Sequence, residues 1–311
     1  MGKMITIKSL NTSIKKGTIK LPGNLAELTE TGIKGDAHSG NWHRQISMLG
    51  IESIQMYEKQ MNRQIKFGEF AENITTDGFL LYKAHPLDRF VSGKIILELT
   101  QIGKKCHGER CAIFKETGNC VMPKEGIFCR VISGGQLQKG DLLEYIPKIF
   151  KLKIITLSDR ANAGIYKDGS GELIANELEE WFKSNGLLFT IEKVILPDDM
   201  EAFSSELEKS VEKGCDVIIS TGSTGLGSRD IAPPVIHQHL DMELVGIMEL
   251  IRVKYGMDNP RALLSRSVAG VIGKTIIFGL PGSTRAVGEY LNEISKLLKH
   301  AIYMLHDIDT H

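Results

Sequence analysis

The sequence has neither a long apolar segment nor an excess of charge of one sign. No apolar run approaches the roughly 20 residues that a membrane-spanning helix needs, and no signal segment opens the chain. Lys and Arg together number 38, as do Asp and Glu, so the formal net charge is zero. This balance argues against a broad nucleic-acid-binding surface and against a polybasic membrane surface. We therefore expect a soluble, cytoplasmic protein whose partners include neither nucleic acid nor a membrane.

Cysteine is also scarce, and the few cysteines are not arranged in pairs. The five are Cys106, Cys111, Cys120, Cys129 and Cys215. An odd number in a chain without an export signal disfavours a disulfide framework and leaves core residues, metal ligands or reactive thiols. The first four are separated by four, eight and eight residues, not by the two of a Cys-x-x-Cys knuckle. Structural zinc is thereby disfavoured, although it stays an alternative.

Three glycines lie close together in the stretch Ser220–Asp230, which reads STGSTGLGSRD and follows the apolar run Val217–Ile219. Its spacing matches neither the dinucleotide-binding nor the phosphate-binding P-loop pattern. Small residues let a backbone approach a ligand closely, and hydroxyl groups can bond phosphate oxygens. The same composition also suits a turn that merely needs positive φ angles. The stretch alone therefore leaves a ligand role open.

The length of 311 residues predicts two domains, which we place at 1–148 and 149–311. Short apolar runs separated by Gly, Asn, Asp and Pro predict a β-rich barrel in the first domain. Helical spacing of apolar residues predicts one helix there, at 51–61. The predicted strands are Met4–Ile7, Gln45–Leu49, Ile95–Ile102, Phe128–Ile132 and Asp141–Ile146.

In the second domain strands and helices alternate, which predicts a three-layer α/β domain with a mostly parallel sheet. The predicted strands are Leu152–Leu157, Leu188–Leu196, Val217–Ile219 and Lys274–Phe278, and the predicted helices are Gly171–Asn185, Glu201–Lys213 and a last one through Tyr290 and Leu305. Ligands of such sheets bind beyond the carboxyl ends of the strands. Four loops should meet at that edge: Ser158–Arg160, Pro197–Asp199, Ser220–Asp230 and Leu280–Ser283.

Six motifs of this domain, taken together, carry a family resemblance. They are Ser158–Arg160, Asp168–Gly171, Pro197-Asp198, Thr221–Gly225 with Arg229-Asp230, Leu264–Arg266 and Leu280–Ser283. Over about 152–305 the chain resembles the molybdopterin adenylyltransferases of the MogA, MoaB and gephyrin G-domain type. The resemblance implies a nucleotidyltransferase that uses ATP and Mg²⁺ to transfer AMP to the terminal phosphate of molybdopterin. It also implies a homotrimer formed through this domain.

The resemblance assigns roles to particular residues. Asp198 and Asp230 match the metal and catalytic positions, so they are expected to hold Mg²⁺ and support AMP transfer, a reaction that needs no protein nucleophile. The alternative for both is helix N-capping. The residues implied in substrate and nucleotide binding are Ser158, Asp159, Arg160, Asp168, Ser170, Gly171, Thr221, Gly222, Ser223, Thr224, Gly225, Arg229, Glu249, Ser265, Arg266, Pro281, Gly282 and Ser283, with Glu249, Ser265 and Arg266 on the pterin side.

The second domain departs from the family pattern at three positions. Ser223 replaces the second glycine of Thr-Gly-Gly-Thr-Gly, which adds a β-carbon where the backbone should lie closest to the ligand. Ala232 and Pro234 replace the Thr and Glu of Asp-x-Thr-Pro-Glu. The departures leave Asp198 and Asp230 intact. They favour one rival reading, a molybdopterin carrier or storage protein without turnover.

In the first domain, Gly35–Gly40, Trp42–Arg44, Phe67–Asn73 and Cys120–Phe128 resemble the MOSC domain over about 5–146. This β-rich module also occurs at the C-terminal end of molybdenum cofactor sulfurases. The resemblance implies binding of molybdenum cofactor, or transfer of sulfur to it, through Cys111 as sulfur carrier or molybdenum ligand. The implied site also includes Cys106, Cys120, His38, His43 and Arg44. His38, His43 and Arg44 would line a pocket for an anionic ligand.

The residues leave other roles for these thiols open. Thiolate suits molybdenum and sulfur chemistry, and the cations Lys104, Lys105 and Arg110 would favour the thiolate form. A core position is the plain alternative for Cys111 and the favoured one for Cys129 and Cys215.

The two resemblances converge on molybdenum cofactor biosynthesis. We expect a protein that binds a small-molecule pterin and a nucleotide, works without pyridoxal phosphate and has other molybdenum cofactor enzymes as partners. A second rival reading is a sulfur-transfer enzyme whose second domain serves mainly to trimerise it.

Overall fold

The computed structural model describes residues 2–105 and 120–308. The chain forms two compact units, one running through Lys148 and including Asp307 and Ile308, the other comprising Ile149–His306. Cys106 and Cys111 lie outside the described residues, so the predictions for these two thiols are not addressed by the structure.

The N-terminal unit is built from eleven described strands and one α-helix. In chain order they are β1 Lys3–Thr12, β2 Leu21–Gly23, β3 Leu25–Thr29, β4 Gly32–Ile33, β5 Ile46–Gly50, α1 Ile51–Met61, β6 Ile74–Asp77, β7 Arg89–Ser92, β8 Ile95–Ile102, β9 Ile127–Ser133, β10 Gly135–Gln138 and β11 Leu142–Ile146. A short 3₁₀ turn spans Leu81–Lys83.

Seven of these strands close into a barrel, as the sequence predicts. Their order is β11-β7-β8-β9-β5-β6-β1, and β1 pairs back with β11. Only β5 and β6 are parallel. Closure leaves no exposed sheet edge along the ring, and alternate residues such as Ile5 and Ile7 point into a fully buried core. A separate three-stranded sheet has the order β10-β3-β4.

The C-terminal unit is an α/β domain. Its elements are β12 Ile149–Leu157, α2 Asp159–Asn162, α3 Gly169–Ser184, β13 Leu188–Leu196, α4 Met200–Glu212, β14 Val217–Thr221, α5 Ala232–His239, β15 Met242–Glu243, α6 Val245–Gly256, a 3₁₀ segment Pro260–Leu264, β16 Val268–Ile272, β17 Thr275–Leu280 and α7 Thr284–Leu305. The sheet order is β13-β12-β14-β17-β16-β15. The first four strands are parallel, β16 runs antiparallel to β17, and β15 runs antiparallel to β16, which confirms the mostly parallel sheet.

The strand order determines where a ligand can bind. The chain passes from β12 to β13 on one side and then returns to place β14 on the other side of β12. Such a reversal opens a crevice at the carboxyl ends of the two strands. Helices α4 and α5 cover one face of the sheet, where Phe203, Leu207 and Val235 pack against the central strands. The crevice is therefore the natural place for the predicted loops to meet.

None of the helices among the described residues combines the length and the apolar character that crossing a membrane requires.

Candidate functional site

The loop that follows β14 is anchored between the ends of two neighbouring strands. Gly222 has a φ of 99°, and a β-carbon there would collide with the carbonyl oxygen of Leu157 at the end of β12. Its amide donates to the Leu280 carbonyl at 3.0 Å. The Thr221 hydroxyl donates to the Pro281 carbonyl at 2.8 Å. Only glycine can occupy position 222, so this residue sets the direction of the loop.

Ser223 is the residue where the sequence departs from the family pattern, and its side chain closes the loop. Its φ is 56°, in the left-handed region. The hydroxyl donates to the Arg229 carbonyl at 2.9 Å and accepts from the Ile231 amide at 2.8 Å. Two hydrogen bonds therefore offset the strain that a side chain brings to this backbone conformation.

Three consecutive amides of this loop are available to a ligand. Those of Ser223, Thr224 and Gly225 make no hydrogen bond within the part of the chain that the structure describes. A β-carbon at Gly225 would lie 2.8 Å from the Asp230 carboxylate, so the glycine keeps the backbone close to that side chain. Successive free amides form a concave donor surface that suits phosphate oxygens.

Asp198 and Asp230 come together from different loops, as predicted. The Asp230 carboxylate accepts from the Gly227 amide at 2.7 Å. Burial raises the pKa of Asp198; the Ser223 hydroxyl lowers it, and the nearby Asp230 carboxylate raises it further. Two carboxylates held together in this way repel each other, and a cation between them would relieve the repulsion.

The capping alternative for these two aspartates is wrong. Helix α4 is capped by Asp199, whose carboxylate accepts from the Ala202 amide at 2.8 Å, and not by Asp198. Helix α5 begins after Ile231 without any side-chain cap, so Asp230 does not cap it either.

Asp159 connects the loops that follow β12, β13 and β14. Its carboxylate accepts from the Asp198 amide at 3.0 Å and forms an ion pair with Arg229. The Asp159 amide faces the Asp198 carboxylate at 3.4 Å. The predicted meeting of these loops is thus observed, with Asp159 as the central contact.

Arg266 supports the loop from outside. Its guanidinium donates to the carbonyls of Gly225 and Asp230, both at 2.7 Å. Its amide donates to the Thr224 carbonyl at 2.9 Å. The prediction placed Arg266 on the pterin side; the observed contacts make it a clamp on the backbone that carries Asp230.

Several other predicted residues cap the N-termini of helices. Ser158, Asp168 and Ser283 are the N-caps of α2, α3 and α7. Asp168 accepts from the Gly171 amide at 2.8 Å and from the Ser170 hydroxyl at 3.1 Å. Caps hold the first turn of a helix in place, so these residues shape the cleft whether or not they contact a ligand.

The remaining predicted residues border the cleft or lie on α6 and the segment after it. The Arg160 guanidinium lies over the Tyr166 ring at 5.2 Å, and a β-carbon at Gly282 would lie 3.3 Å from the Gly222 Cα. The Ser265 hydroxyl contacts that of Ser267 at 3.1 Å. Glu249 is exposed on α6 and shares no hydrogen bond or ion pair with the described loops.

The donor set of the cleft fits a divalent ion of the magnesium type. Among the described residues no group of three or more His, Cys, Asp or Glu side chains could enclose a metal ion. Two carboxylates with substrate phosphates and water as further ligands are, however, the usual coordination of Mg²⁺ in proteins. Asp198 and Asp230 would supply those two carboxylates.

The N-terminal unit contains a second candidate site, a cavity of about 270 Å³. Its lining residues are Lys16, His38, Trp42, Arg44, Ser47, Ala71, Asn73, Lys104, Met122 and Phe128. The Arg44 guanidinium lies 4.9 Å from the centre of the Trp42 ring, and its Nε is buried without a hydrogen-bond partner in the described chain. Cationic side chains and aromatic rings thus face one space, as the prediction for His38 and Arg44 requires.

Two other residues predicted at this site lie elsewhere. Cys120 lines a different cavity, together with Tyr57. The His43 side chain is not among those lining the cationic cavity, and its carbonyl accepts from the Thr100 hydroxyl at 2.5 Å.

Sequence reasoning missed the support beneath this cavity. The Lys20 ammonium is fully buried and lies 2.7 Å from both carboxylate oxygens of Asp36. Burial lowers the pKa of Lys20, and Asp36 partly offsets this. Burial works against ionisation of Asp36, but His38 and Lys20 outweigh it and hold the pKa of that carboxyl well below its usual range. Asp36 lies in the motif with His38, whereas nothing in the sequence links Lys20 to it.

Comparison with known proteins follows the two units. The family model described as "Probable molybdopterin binding domain" matches residues 153–300, and that of the MOSC domain matches residues 35–144. A molybdopterin adenylyltransferase of Helicobacter pylori is 33% identical over 153 residues, covering 49% of this chain and 85% of the relative. One from Pyrococcus furiosus is 35% identical over 164 residues, covering 50% and 93%.

Larger proteins match through the same half. The molybdenum cofactor synthesis protein cinnamon of Drosophila melanogaster is 32% identical over 155 residues, which is 50% of this chain but only 25% of the relative. Among solved structures, one titled as the anomalous substructure of MogA has 33% identity and a TM-score of 0.46, covering 50% of this chain and 99% of the other.

Proposed function

We propose that the C-terminal unit is a molybdopterin adenylyltransferase. The chain belongs to the molybdopterin-binding domain family through residues 153–300. The unit would transfer AMP from ATP to the terminal phosphate of molybdopterin and release pyrophosphate. The observation that carries the proposal is the pairing of Asp198 with Asp230 beside three free loop amides, with neither carboxylate used as a helix cap.

In this reaction the protein has to position the two substrates and stabilise the negative charge on the phosphate oxygens. The pterin phosphate attacks the α-phosphorus of ATP and pyrophosphate leaves, so positioning and charge stabilisation carry the catalysis. Mg²⁺ held by Asp198 and Asp230 would neutralise the negative charge that accumulates on the phosphate oxygens. The amides of Ser223, Thr224 and Gly225 would donate to those oxygens, and the Arg266 clamp would keep Asp230 in place.

For the N-terminal unit we propose binding of a molybdenum cofactor species. The support is the cavity that combines Lys16, Arg44 and Lys104 with the rings of Trp42 and Phe128. A molecule with an anionic phosphate and a flat ring system would match both kinds of side chain. A sulfur-carrying role of Cys111 stays a prediction; molybdenum and sulfur content should fall in Cys111→Ala, and an unchanged content would contradict it.

We also propose a homotrimer formed through the C-terminal unit. Helix α6 and the residue that follows it expose apolar side chains: Val245 is 45% exposed, Leu250 58%, Val253 53% and Met257 80%. Apolar groups in such number mark a surface that a partner covers. Light scattering should give a trimeric mass, and Leu250→Glu should lower it; a monomeric wild-type chain would contradict the proposal.

Product formation tests the enzymatic proposal. Purified protein incubated with molybdopterin, ATP and Mg²⁺ should yield adenylylated pterin and pyrophosphate. Asp230→Asn should reduce the rate by about a hundred- to a thousandfold, the usual loss when one group that stabilises the transition state is removed. Glu208→Gln, the same change at an exposed position of α4, is the control that should retain the rate.

The same assay addresses the carrier alternative, which the replacements at Ala232 and Pro234 favour. Pterin binding without any product in the wild-type chain would contradict the transferase proposal and support a carrier.

A further inference from the structure

The side of His38 that faces the protein interior contacts a buried ion pair. The Lys20 and Asp36 side chains are 0% and 1% exposed, while that of His38 is 28% exposed and lines the cationic cavity. Asp36 accepts from the His38 amide at 3.0 Å and from the Ser13 amide at 3.0 Å. The pair therefore holds the His38 backbone as well as meeting its ring.

The nearer of two polar contacts at Nδ1 of His38 favours one tautomer. Lys20 Nζ lies 3.3 Å from Nδ1, within hydrogen-bond range, whereas the nearest Asp36 oxygen lies 3.5 Å from it. A lysine nitrogen in its charged form can only donate, so Nδ1 is the acceptor. In a neutral imidazole the remaining proton is then on Nε2, on the side of the ring away from Lys20.

We infer that Lys20 and Asp36 are positioning residues that make His38 a hydrogen-bond donor into the cavity. Its Nε2–H adds to the donors of Lys16, Arg44 and Lys104, so the cavity takes the phosphate or another oxyanion group of a ligand. A metal ion would need the lone pair of Nε2, which this tautomer does not offer. The inference rests on the proposed binding role of the N-terminal unit and names the part of the ligand that the cavity recognises.

Two further features of the cavity agree with an acceptor ligand. The buried Nε–H of Arg44 has no partner in the described chain, so it is a donor in need of an oxygen. Among the residues that the structure describes, the cavity lining contains cationic side chains and no Asp or Glu side chain, which favours an anionic ligand over a cation. The Nε2–H of His38 therefore adds one more hydrogen-bond donor to a cavity that other donors already line.

The tautomer can be measured directly in the full chain. Long-range ¹H–¹⁵N correlation spectra distinguish the two neutral forms of histidine, and His38→Gln identifies the signal. We expect the Nε2–H form in the wild-type protein. An Nδ1–H form would overturn the inference.

A substitution tests the role of Lys20. In Lys20→Met the donor to Nδ1 is lost, and Nδ1–H should become populated because the Asp36 carboxylate, 3.5 Å away, can accept its proton. Lys34→Met, which removes an exposed ion pair with Glu27, should leave the tautomer unchanged. If Lys20→Met folds and keeps the Nε2–H form, the positioning role is overturned; if it fails to fold, the wild-type measurement still decides the tautomer.

Binding of inorganic phosphate tests the ligand class. His38→Ala should weaken it by about tenfold, the usual effect of losing one hydrogen bond to a charged group. His38→Gln places an amide nitrogen near the position of Nε2 and should bind within about threefold of the wild type. His38→Asn places its amide near Nδ1 instead and should behave like His38→Ala.

Equal phosphate binding by all three variants, or no binding by the wild-type chain, would overturn the inference. AMP transfer is measured separately and does not enter this test, and binding of intact molybdenum cofactor without phosphate binding would leave the proposed function of the unit standing.

Discussion

The two candidate sites present opposite kinds of groups to a ligand. The C-terminal cleft consists of backbone amides and the carboxylates of Asp198 and Asp230, all on loops at one sheet edge. The N-terminal cavity presents cationic side chains above the buried pair Lys20–Asp36. The cleft owes its geometry to strand ends that parallel pairing brings together, whereas the cavity depends on ions buried within the unit. Backbone substitutions should therefore affect the cleft most, and changes of buried charge should affect the cavity most.

The largest effect is expected where the backbone itself forms the cleft. Gly222→Ala should destabilise the C-terminal unit by roughly 3 kcal/mol or more, since both the positive φ and the collision with the Leu157 carbonyl oppose a β-carbon. Gly273→Ala is the matched control, because its φ is 58° but nothing lies within 4 Å of the added carbon. It should cost only about 1 kcal/mol. Thermal unfolding of both variants measures the difference, and equal losses would show that the close approach at Gly222 is unimportant.

Next in size is the response of the N-terminal unit to pH. Glu72 is fully buried, accepts from the Gly68 amide at 2.6 Å, and burial raises its pKa to about 7. Between about pH 4.5 and 7 the folded unit holds a proton that the unfolded chain releases. The stability contributed by Glu72 is thus present at low pH and is lost as the pH rises through about 7, by on the order of 3 kcal/mol.

Glu72→Gln tests this pH dependence, since the amide oxygen can still accept from Gly68. Unfolding followed from pH 5 to 8 should show a flatter stability profile for this variant than for the wild type. The exposed Glu30→Gln should retain the wild-type slope. If Glu72→Gln also keeps that slope, the buried carboxyl does not control it.

A smaller effect is expected from the clamp on the cleft loop. Arg266→Ala removes the donors to the Gly225 and Asp230 carbonyls, so AMP transfer should fall by roughly ten- to a hundredfold through misplacement of Asp230. Because Arg266 is exposed, the melting temperature should change little. Arg285→Ala removes a surface pair with Glu289 and serves as the control. A full transfer rate in Arg266→Ala would contradict the clamp.

The smallest effect is predicted at Ser223. Ser223→Gly loses two hydrogen bonds but relieves the left-handed strain, so the stability should change by less than about 1 kcal/mol. Ser223→Ala keeps the strain and also removes the hydroxyl that lowers the pKa of Asp198. The acid limb of the transfer rate should then move to higher pH in Ser223→Ala. An unchanged limb would mean that the hydroxyl does not tune Asp198.

Sequence reasoning succeeded where local pattern and chain order carry the information. Strands β12, β13, β14 and β17 follow from their apolar runs, and their parallel order explains why the loops carrying Asp198 and Asp230 meet. It failed at α6, because the apolar residues of this helix are spread over buried and exposed sides and form no single apolar face. The antiparallel strand β16 and the edge strand β15 were missed as well, because short strands have weak patterns.

By itself, the sequence determined the two kinds of unit, the families that they resemble and the identity of the paired aspartates. These depend on residue types in a fixed order along the chain. The tertiary structure alone decided that Asp199 rather than Asp198 caps its helix, that Arg266 holds the cleft loop and that Lys20 lies against His38. The cap depends on the residue at which the helix begins, and the other two facts depend on which distant residues fold to within about 3 Å of each other, as hydrogen bonds require. Such distances are set by packing and leave no periodic signal in the sequence.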